Sequence, residues 1–193
     1  MLVNTHMILA NNLYKIANSN GIDLINKNRF LWGNIKPDCT PKYKKIKHYY
    51  NESIAMIILK INRLSKLTIS DINNDYGRGK FSEELGIICH FICDYFCLPH
   101  NKRWEFKNAM KKHVIYENTL AKIAKVYNPP YKVCDEISVE EIEKFIINKQ
   151  VEYSRDKGFL NDLEFSYLVC NSIISMIVNQ VEKNEYFKQR RAV

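Results

Sequence analysis

The sequence has few glycines and prolines, with 6 and 5 among 193 residues. Such counts exclude collagen-like and low-complexity chains, which are rich in both residues. There is also no run of about 18 apolar residues, so we expect no transmembrane helix. A hydrophobic fraction of 46% argues against general disorder and supplies one sizeable core. We therefore predict a single domain over residues 1–193.

Paired cysteine motifs and an export signal are also absent. None of the six cysteines forms a Cys-x-x-Cys pair, which excludes a zinc ribbon and a thioredoxin-type motif. The first residues, Met-Leu-Val-Asn-Thr-His, contain neither the basic nor the long apolar segment of a signal peptide. We therefore expect a cytoplasmic protein with reduced cysteines. Cys89, Cys93 and Cys97 recur every four residues, which we interpret as small buried hydrophobic side chains, with metal or redox contact as the alternative.

Acidic residues are the scarcer charged class, with 21 Asp and Glu against 29 Lys and Arg, a net charge of +8. The densest basic segment contains Lys42, Lys44, Lys45 and Lys47. Such a segment attracts anionic lipid headgroups or nucleic acid. A solvated basic loop explains it equally well. A peripheral contact with an anionic membrane surface therefore stays open as one interpretation.

Hydrophobic spacing is helical along nearly the whole chain, and there is no βαβ alternation. We predict helices over residues 5–18, 46–65, 82–97, 103–127, 138–157 and 160–187. The fifth of these opens with a capping-box pattern, Ser138-Val-Glu-Glu141. Loops are expected between the first two helices, at Gly21, Gly33, Pro37 and Pro41, and over 71–80. The predicted fold class is all-α, a single-domain multi-helix bundle.

Histidine is scarce, with five residues, yet it is the most informative residue type. Three histidines have a carboxylate four residues later: His48 with Glu52, His90 with Asp94, and His113 with Glu117. Residues four apart share a helix face, with Cβ atoms about 6 Å apart, so both can bind one metal ion. Each pair taken alone is equally consistent with an ordinary helix contact worth a few tenths of a kcal/mol.

The pair of His90 and Asp94 is the hardest to explain as a surface contact. Its segment, 85–97, is apolar around most of the helix, so we expect both side chains to be buried. A buried aspartate is costly unless it is paired or binds a metal ion. His100 follows Pro99, where the chain can return to the same cavity. Imidazole and carboxylate ligands favour zinc, and three protein ligands leave a position open for water.

Two motifs that follow one another along the chain resemble those of a known family. His90-Phe-Ile-Cys-Asp94-Tyr-Phe-Cys-Leu-Pro-His100 and His113-Val-Ile-Tyr-Glu117 look like the core signature of the zinc-dependent phospholipase C family, whose pattern is His-x3-Asp-x5-His and then His-x3-Glu. That family is related in fold to the single-strand-specific zinc nucleases. Earlier in the chain, Asn4-Thr5-His6, Pro37-Asp38 and His48 resemble the family's first histidine, its loop carboxylate and its next histidine. The resemblance spans roughly residues 4–120.

The resemblance implies a cluster of two to three zinc ions in a fold of the phospholipase C and zinc nuclease type. The implied metal ligands are His6, Asp38, His48, His90, Asp94, His100, His113 and Glu117. Within this set, Asp38, His48, His90 and Asp94 would bind one ion, Asp94 would bridge to a second at His6, and the remaining three would bind the third. Glu52 is outside the pattern, so we expect it beside a ligand or in a surface pair.

The implied activity is hydrolysis of a phosphodiester by a zinc-activated hydroxide, with Asp38 orienting the water or accepting its proton. A phospholipid substrate would give diacylglycerol and a phosphorylated headgroup. Two alternatives stay open. One is a zinc nuclease acting on single-stranded nucleic acid, which the positive net charge favours. The other is a catalytically degenerate metal-binding module.

Overall fold

Every regular element that the structure describes is a helix. The structure, a computed structural model, describes residues 1–104, 106–130 and 134–191. The helices in these ranges are α1 (Val3–Ser19), α2 (Lys27–Cys39), α3 (Pro41–Lys44), α4 (Tyr50–Ser65), α5 (Ile69–Asn73), α6 (Arg78–Tyr95), α7 (Leu98–Asn101), α8 (Phe106–Val126), α9 (Ile142–Tyr153) and α10 (Phe159–Arg191). This arrangement confirms the predicted all-α fold class. None of the described helices combines sufficient length with the apolar character that crossing a membrane requires.

The helix α6 lies at the centre of the packing. Every residue from 85 to 97 is buried, and α1, α2, α4 and α10 all pack against this helix. His90 and Asp94 consequently have no exposed surface, as the apolar pattern of their segment predicted. Each of these polar side chains therefore needs a partner inside the protein.

The segment predicted as a loop after α1 contains a helix, α2, so that prediction was wrong. The side-chain oxygen of Asn26 caps this helix by accepting a hydrogen bond from the backbone N–H of Arg29 at 3.1 Å. Pro37 lies inside this helix, two residues before its end at Cys39. The carboxylate of Asp38 therefore projects from the last turn of a helix rather than from a loop.

Gly33 marks a helix crossing and not a turn. A Cβ atom on Gly33 would lie 2.2 Å from the carbonyl oxygen of Glu83 in α6. In the same crossing, a Cβ atom on Gly86 would lie 2.3 Å from the carbonyl oxygen of Phe30 in α2. Two facing glycines thus let the backbones of α2 and α6 approach closely, which fixes the position of α2 against the buried histidine of α6.

The helix predicted over 46–65 begins only at Tyr50, so His48 lies in the loop before α4. The expectation that His48 and Glu52 share a helix face is therefore wrong. Glu52 instead makes an exposed ion pair with Arg103 at 2.7 Å. This is the surface pair that was one of the two expectations for Glu52.

Two further boundaries differ from the prediction. The polar segment 71–80 contains the end of α5 and the start of α6, because Thr68 and Asp71 form a capping box for α5. The helix predicted over 103–127 begins at Phe106, and residue 105 lies outside the described residues.

The pattern at 138–141 does not cap a helix. The hydroxyl of Ser138 donates a hydrogen bond to the side chain of Glu141 at 2.8 Å, but α9 begins one residue later, at Ile142. The helix predicted to run to 157 ends at Tyr153.

Candidate metal centre

The structure brings all eight predicted ligand residues to one place near the centre of the fold. His6 comes from α1, Asp38 from α2, His48 from the loop before α4, His90 and Asp94 from α6, His100 from α7, and His113 and Glu117 from α8. Because these segments are far apart in the chain, only the packed fold can assemble the cluster.

Asp94 lies in the middle of the cluster, and its two oxygens face different histidines. Oδ2 lies 2.8 Å from Nδ1 of His48 and 3.3 Å from Nε2 of His90. Oδ1 lies 3.3 Å from Nε2 of His6 and 3.7 Å from Nε2 of His100. Burial raises the pKa of Asp94. The positive charges around the carboxylate, that of the Met1 amine first among them, outweigh burial and hold this pKa well below its usual value. The geometry is that of a carboxylate able to bridge two metal ions.

Asp38 is the most accessible carboxylate of the cluster. Its side chain is 24% exposed, against 0% for Asp94 and 9% for Glu117. Its Oδ1 lies 3.7 Å from Nδ1 of His48 and 3.8 Å from Nε2 of His90. Partial burial, and then the charge of Asp94, raise the pKa of Asp38. Asp38 therefore joins the buried cluster to solvent.

The backbone of α2 orients His90. The Nδ1–H of His90 donates a hydrogen bond to the carbonyl oxygen of Asn34 at 2.7 Å, which leaves Nε2 with its lone pair toward Asp94. Burial, and then the charge of His6, hold the pKa of His90 well below its usual value. A neutral ring with a free Nε2 is the form that binds a metal ion. The sequence gives no signal for this contact, because a carbonyl group carries no residue signature.

Glu117 joins two histidines at the other end of the cluster. Its Oε1 lies 3.1 Å from Nε2 of His100 and 2.9 Å from Nε2 of His113. Burial raises the pKa of Glu117, but the hydrogen bonds from these histidines outweigh it and hold the pKa well below its usual value. The Nδ1–H of His113 faces the carbonyl oxygen of Trp104 at 3.4 Å, so its Nε2 points toward Glu117.

The buried network around Asp162 supports the turn that carries His100. The carboxylate of Asp162 accepts hydrogen bonds from the backbone N–H of Leu98 at 3.1 Å and from the hydroxyls of Tyr116 and Tyr153 at 2.9 and 2.6 Å. This network connects the start of α10 to α7, α8 and α9. Asp162 was not predicted as a supporting residue, because no histidine accompanies it at short spacing in the sequence.

His6 shows that the cluster fits a metal ion. Both of its ring nitrogens are buried, and neither meets a partner with hydrogen-bond geometry, although Nε2 lies 3.3 Å from Asp94. Burial lowers the pKa of His6, but the carboxylate of Asp94 has the larger combined effect and raises the pKa to about 9. A metal ion beside Nε2 would satisfy both the imidazole and the carboxylate.

A positive charge is already stabilised within the cluster. The charged α-amino group of Met1 contacts the carboxylate of Asp94. Its nitrogen lies 2.9 Å from Nε2 of His100 and 3.3 Å from Oε1 of Glu117. Burial lowers the pKa of this amine, but the charges around it, Asp94 above all, raise the pKa to about 12. The same carboxylates and imidazoles would stabilise divalent cations.

Among the described residues, three groups of ligating atoms are compact enough for one ion each. Within each group, all ligating atoms lie within 4.8 Å of one another. The groups are His6 with Asp38 and His90, His48 with His90 and Asp94, and Cys97 with His100 and Glu117. The nitrogen, oxygen and sulfur donors fit zinc. Cys97 was not among the predicted ligands, although the spacing of Cys97-Leu-Pro-His100 offered a signal for it.

A cleft of about 430 Å³ opens above the cluster. Its lining includes Asp38, His48, His100 and His113 from the cluster, together with Lys44, Ile46, Lys47 and Tyr49. Lys44 and Lys47 are exposed and have no acidic partner among the residues that the structure describes. A more apolar cleft of about 390 Å³, lined by Ile16, Phe165 and Leu168, contains no residue of the cluster. The cleft above the cluster is therefore the candidate site of reaction.

Comparison with known proteins gives one match. The sequence model of the family described as zinc dependent phospholipase C matches residues 5–159. No curated protein and no solved structure matches the chain. The matched range contains all eight predicted ligand residues and extends beyond the motifs that carried the resemblance.

Proposed function

Because the chain belongs to the zinc-dependent phospholipase C family, we propose that it hydrolyses a phospholipid to diacylglycerol and a phosphorylated headgroup. The observation that carries this proposal is the bridging position of Asp94. One of its oxygens faces His48 and His90, and the other faces His6 and His100, below an open cleft. This is the arrangement that two-metal phosphodiester hydrolysis requires.

The cluster would hold up to three zinc ions. His48, His90 and Asp94, with Asp38 beside them, form one group of ligands, and His6 with the other oxygen of Asp94 forms the second. His100, His113 and Glu117 form the third. When bound, zinc polarises phosphoryl oxygens and lowers the pKa of a nearby water.

Asp38 is the residue that we assign to the attacking water. Its carboxylate belongs to the cluster and also reaches the solvent of the cleft. It can therefore orient a water molecule in the cleft and accept its proton. Asp94 and Glu117 are too deeply buried to reach that water, so we assign them to metal binding only.

The rim of the cleft suits a substrate that carries phosphate. Lys44 and Lys47 place two positive charges beside the cluster, and no described carboxylate neutralises them. Charges of one sign around a cleft raise the local concentration of an oppositely charged substrate. The lysines would therefore draw the phosphodiester of an anionic lipid surface toward Asp38.

The experiment is an assay of headgroup release from phospholipid vesicles by zinc-loaded protein. We expect release that a chelator abolishes, and a loss on the order of 10²- to 10⁴-fold in the variant Asp38→Asn. Glu52→Gln is the control, because Glu52 is a surface carboxylate paired with Arg103 outside the cluster. Zinc-loaded protein that cleaves no phosphodiester, or full activity in Asp38→Asn, would contradict the proposal. The first result would favour the metal-binding module without turnover, and the second would remove Asp38 from the role that we assign to it.

The same rim also supports a second candidate, a zinc nuclease for single-stranded nucleic acid. Tyr49 lines the cleft beside Lys44 and Lys47, and aromatic side chains among basic ones are typical of single-strand binding. The zinc-loaded protein should therefore also be incubated with single-stranded DNA and RNA. Cleavage of nucleic acid by protein that is inactive on phospholipids would replace the first proposal with this one.

A further inference from the structure

The side chain of Cys97 lies close to two predicted metal ligands. Its side chain has no exposed surface, and it immediately precedes α7. Its Sγ atom belongs to a group with His100 and Glu117 in which all ligating atoms lie within 4.8 Å of one another. The two other residues of that group already belong to the proposed metal cluster.

The remaining buried cysteines contact one another. Sγ of Cys93 lies 3.7 Å from Sγ of Cys170, which in turn donates to the carbonyl oxygen of Cys89 at 3.6 Å. Cys93 also lies beside the ring of His6, but it belongs to none of the three compact ligand groups. Cys89 and Cys170 pack as the small buried side chains that the sequence predicted. Among the described residues, Cys97 makes no hydrogen bond of this kind.

The chemistry of the group is that of a zinc site. Thiolate is a strong zinc ligand, with a Zn–S distance of about 2.3 Å and Zn–N and Zn–O distances of about 2.0–2.2 Å. Ligand atoms around one tetrahedral ion then lie about 3.5 Å apart. Atoms within 4.8 Å of one another need only a small movement to close on an ion.

We propose that Cys97 is a ligand of the zinc ion at His100 and Glu117. The bond forms between zinc and sulfur, the S–H bond breaks, and its proton passes to solvent. His113 completes the set, because its Nε2 lies 2.9 Å from the same Glu117 oxygen. The ion then has four protein ligands and no open position, which is the pattern of a structural zinc site.

This assignment gives the parts of the cluster different roles. The ion at Cys97 has a structural role, because it holds α7 against α8. The catalytic role, which acts on the water in the cleft, belongs to the ligand groups that contain Asp38 and Asp94. The inference rests on the proposed metal cluster, but it does not depend on which phosphodiester is cleaved or on whether any is.

The test is the absorption spectrum of the cobalt-substituted protein. A thiolate bound to Co²⁺ gives an intense near-ultraviolet charge-transfer band that imidazole and carboxylate ligands do not give. We expect this band in the unaltered protein, its loss in Cys97→Ser, and its retention in Cys39→Ser and Cys93→Ser. Cys39 is exposed and belongs to none of the three ligand groups, so it controls for loss of a thiol. Absence of the band from the unaltered protein, or its survival in Cys97→Ser, overturns the inference.

A second measurement needs no variant and therefore does not depend on the folding of Cys97→Ser. X-ray absorption of the zinc-loaded protein should show a sulfur neighbour at about 2.3 Å. A first shell of nitrogen and oxygen alone would overturn the inference and leave the proposed hydrolysis untouched. Failure to cleave any phosphodiester, with the sulfur signal present, would instead overturn the proposed function and retain the role of Cys97.

Discussion

At the scale of single residues, the ligands should contribute unequally to metal content, because one oxygen of Asp94 faces His48 and His90 whereas the other faces His6 and His100. In Asp94→Asn we expect loss of the two ions that share its carboxylate. In His113→Ala we expect loss of one ion, because the Nε2 atom of His113 lies 2.9 Å from Glu117. Metal per chain is measured by mass spectrometry after extensive dialysis. Glu52→Gln should retain the full content, and equal losses in the two ligand variants would contradict the bridging role of Asp94.

The protonation of His6 makes zinc binding depend on pH. The pKa of His6 is about 9 without metal, so the ring carries a proton near neutral pH that zinc must displace. Affinity should therefore rise as the pH approaches 9 from below. Calorimetric titration in two buffers of different ionisation enthalpy counts the protons released. We expect fewer protons in His6→Ala, and an unchanged count would show that His6 lies outside the metal site.

The sequence predicted which residues come together better than it predicted the groups around them. Side chains such as His90 and Asp94 indicate a metal site by their residue type and spacing, and the fold brings all eight predicted ligand residues together. The carbonyl of Asn34 and the carboxylate of Asp162 carry no such signal, because their roles arise only when distant helices pack. Cys97 lies three residues before His100 in the sequence, which is a spacing that metal ligands use. Its apolar neighbours nevertheless favoured the interpretation as a packing residue.

At the scale of elements, the crossing of α2 and α6 determines where Asp38 and Asn34 lie. In Gly86→Ala the new methyl group would lie 2.3 Å from a carbonyl oxygen of α2, and that backbone must move. We expect a loss of about 1–3 kcal/mol in the free energy of unfolding, measured with urea, together with weaker zinc binding.

Gly79→Ala is the matched control for this substitution. Gly79 lies in the same helix, but its nearest neighbours are side-chain atoms of Arg29, at 3.5 Å or more. Alanine there should leave stability unchanged or raise it by up to about 1 kcal/mol, because glycine is unfavourable within a helix. Equal stability in both variants would show that the crossing tolerates a side chain.

Lys44, the last residue of α3, and Lys47, in the loop that follows, should act through their position and not only through their charge. In Lys44→Gln combined with Lys47→Gln we expect a several-fold higher KM on anionic vesicles, with kcat little changed, and a weaker dependence on salt. Lys42→Gln combined with Lys45→Gln removes the same number of charges from the same segment, but neither lysine lines the cleft. A similar effect of this second pair would indicate attraction by the general charge of the segment instead.

Hydrophobic periodicity was sufficient to predict α1, α4, α6, α8, α9 and α10, but it missed α2 and the short helices α3, α5 and α7. The prediction treated Gly33 and Pro37 as loop residues, which is the usual meaning of both types. Here Gly33 allows a close helix crossing, and Pro37 lies inside the helix, two residues before its end. Only the partner helix distinguishes these uses, and a single sequence does not show which helix that is.

At the scale of the whole molecule, the cluster ties together helices that are remote in the chain. His6 of α1 and Glu117 of α8 belong to one network, although more than a hundred residues separate them. Periodicity predicts that helices form, but the way they pack depends on crossings such as that of Gly33 and Gly86. The residues that converge in the cluster could therefore be predicted as a set, whereas the geometry of the cluster could not.

The connection between distant helices predicts that metal removal destabilises the whole fold. Binding to the folded state alone stabilises it by about 4 kcal/mol when free metal is a thousand times the dissociation constant. Adding a chelator to the zinc-loaded protein should therefore lower the melting temperature of the helical circular-dichroism signal by several degrees. Asp94→Asn is the control, because a chain that has lost its bridged ions has less stability to lose. An unchanged melting temperature in the unaltered protein would mean that the helices around Asp94 are held by their apolar packing alone.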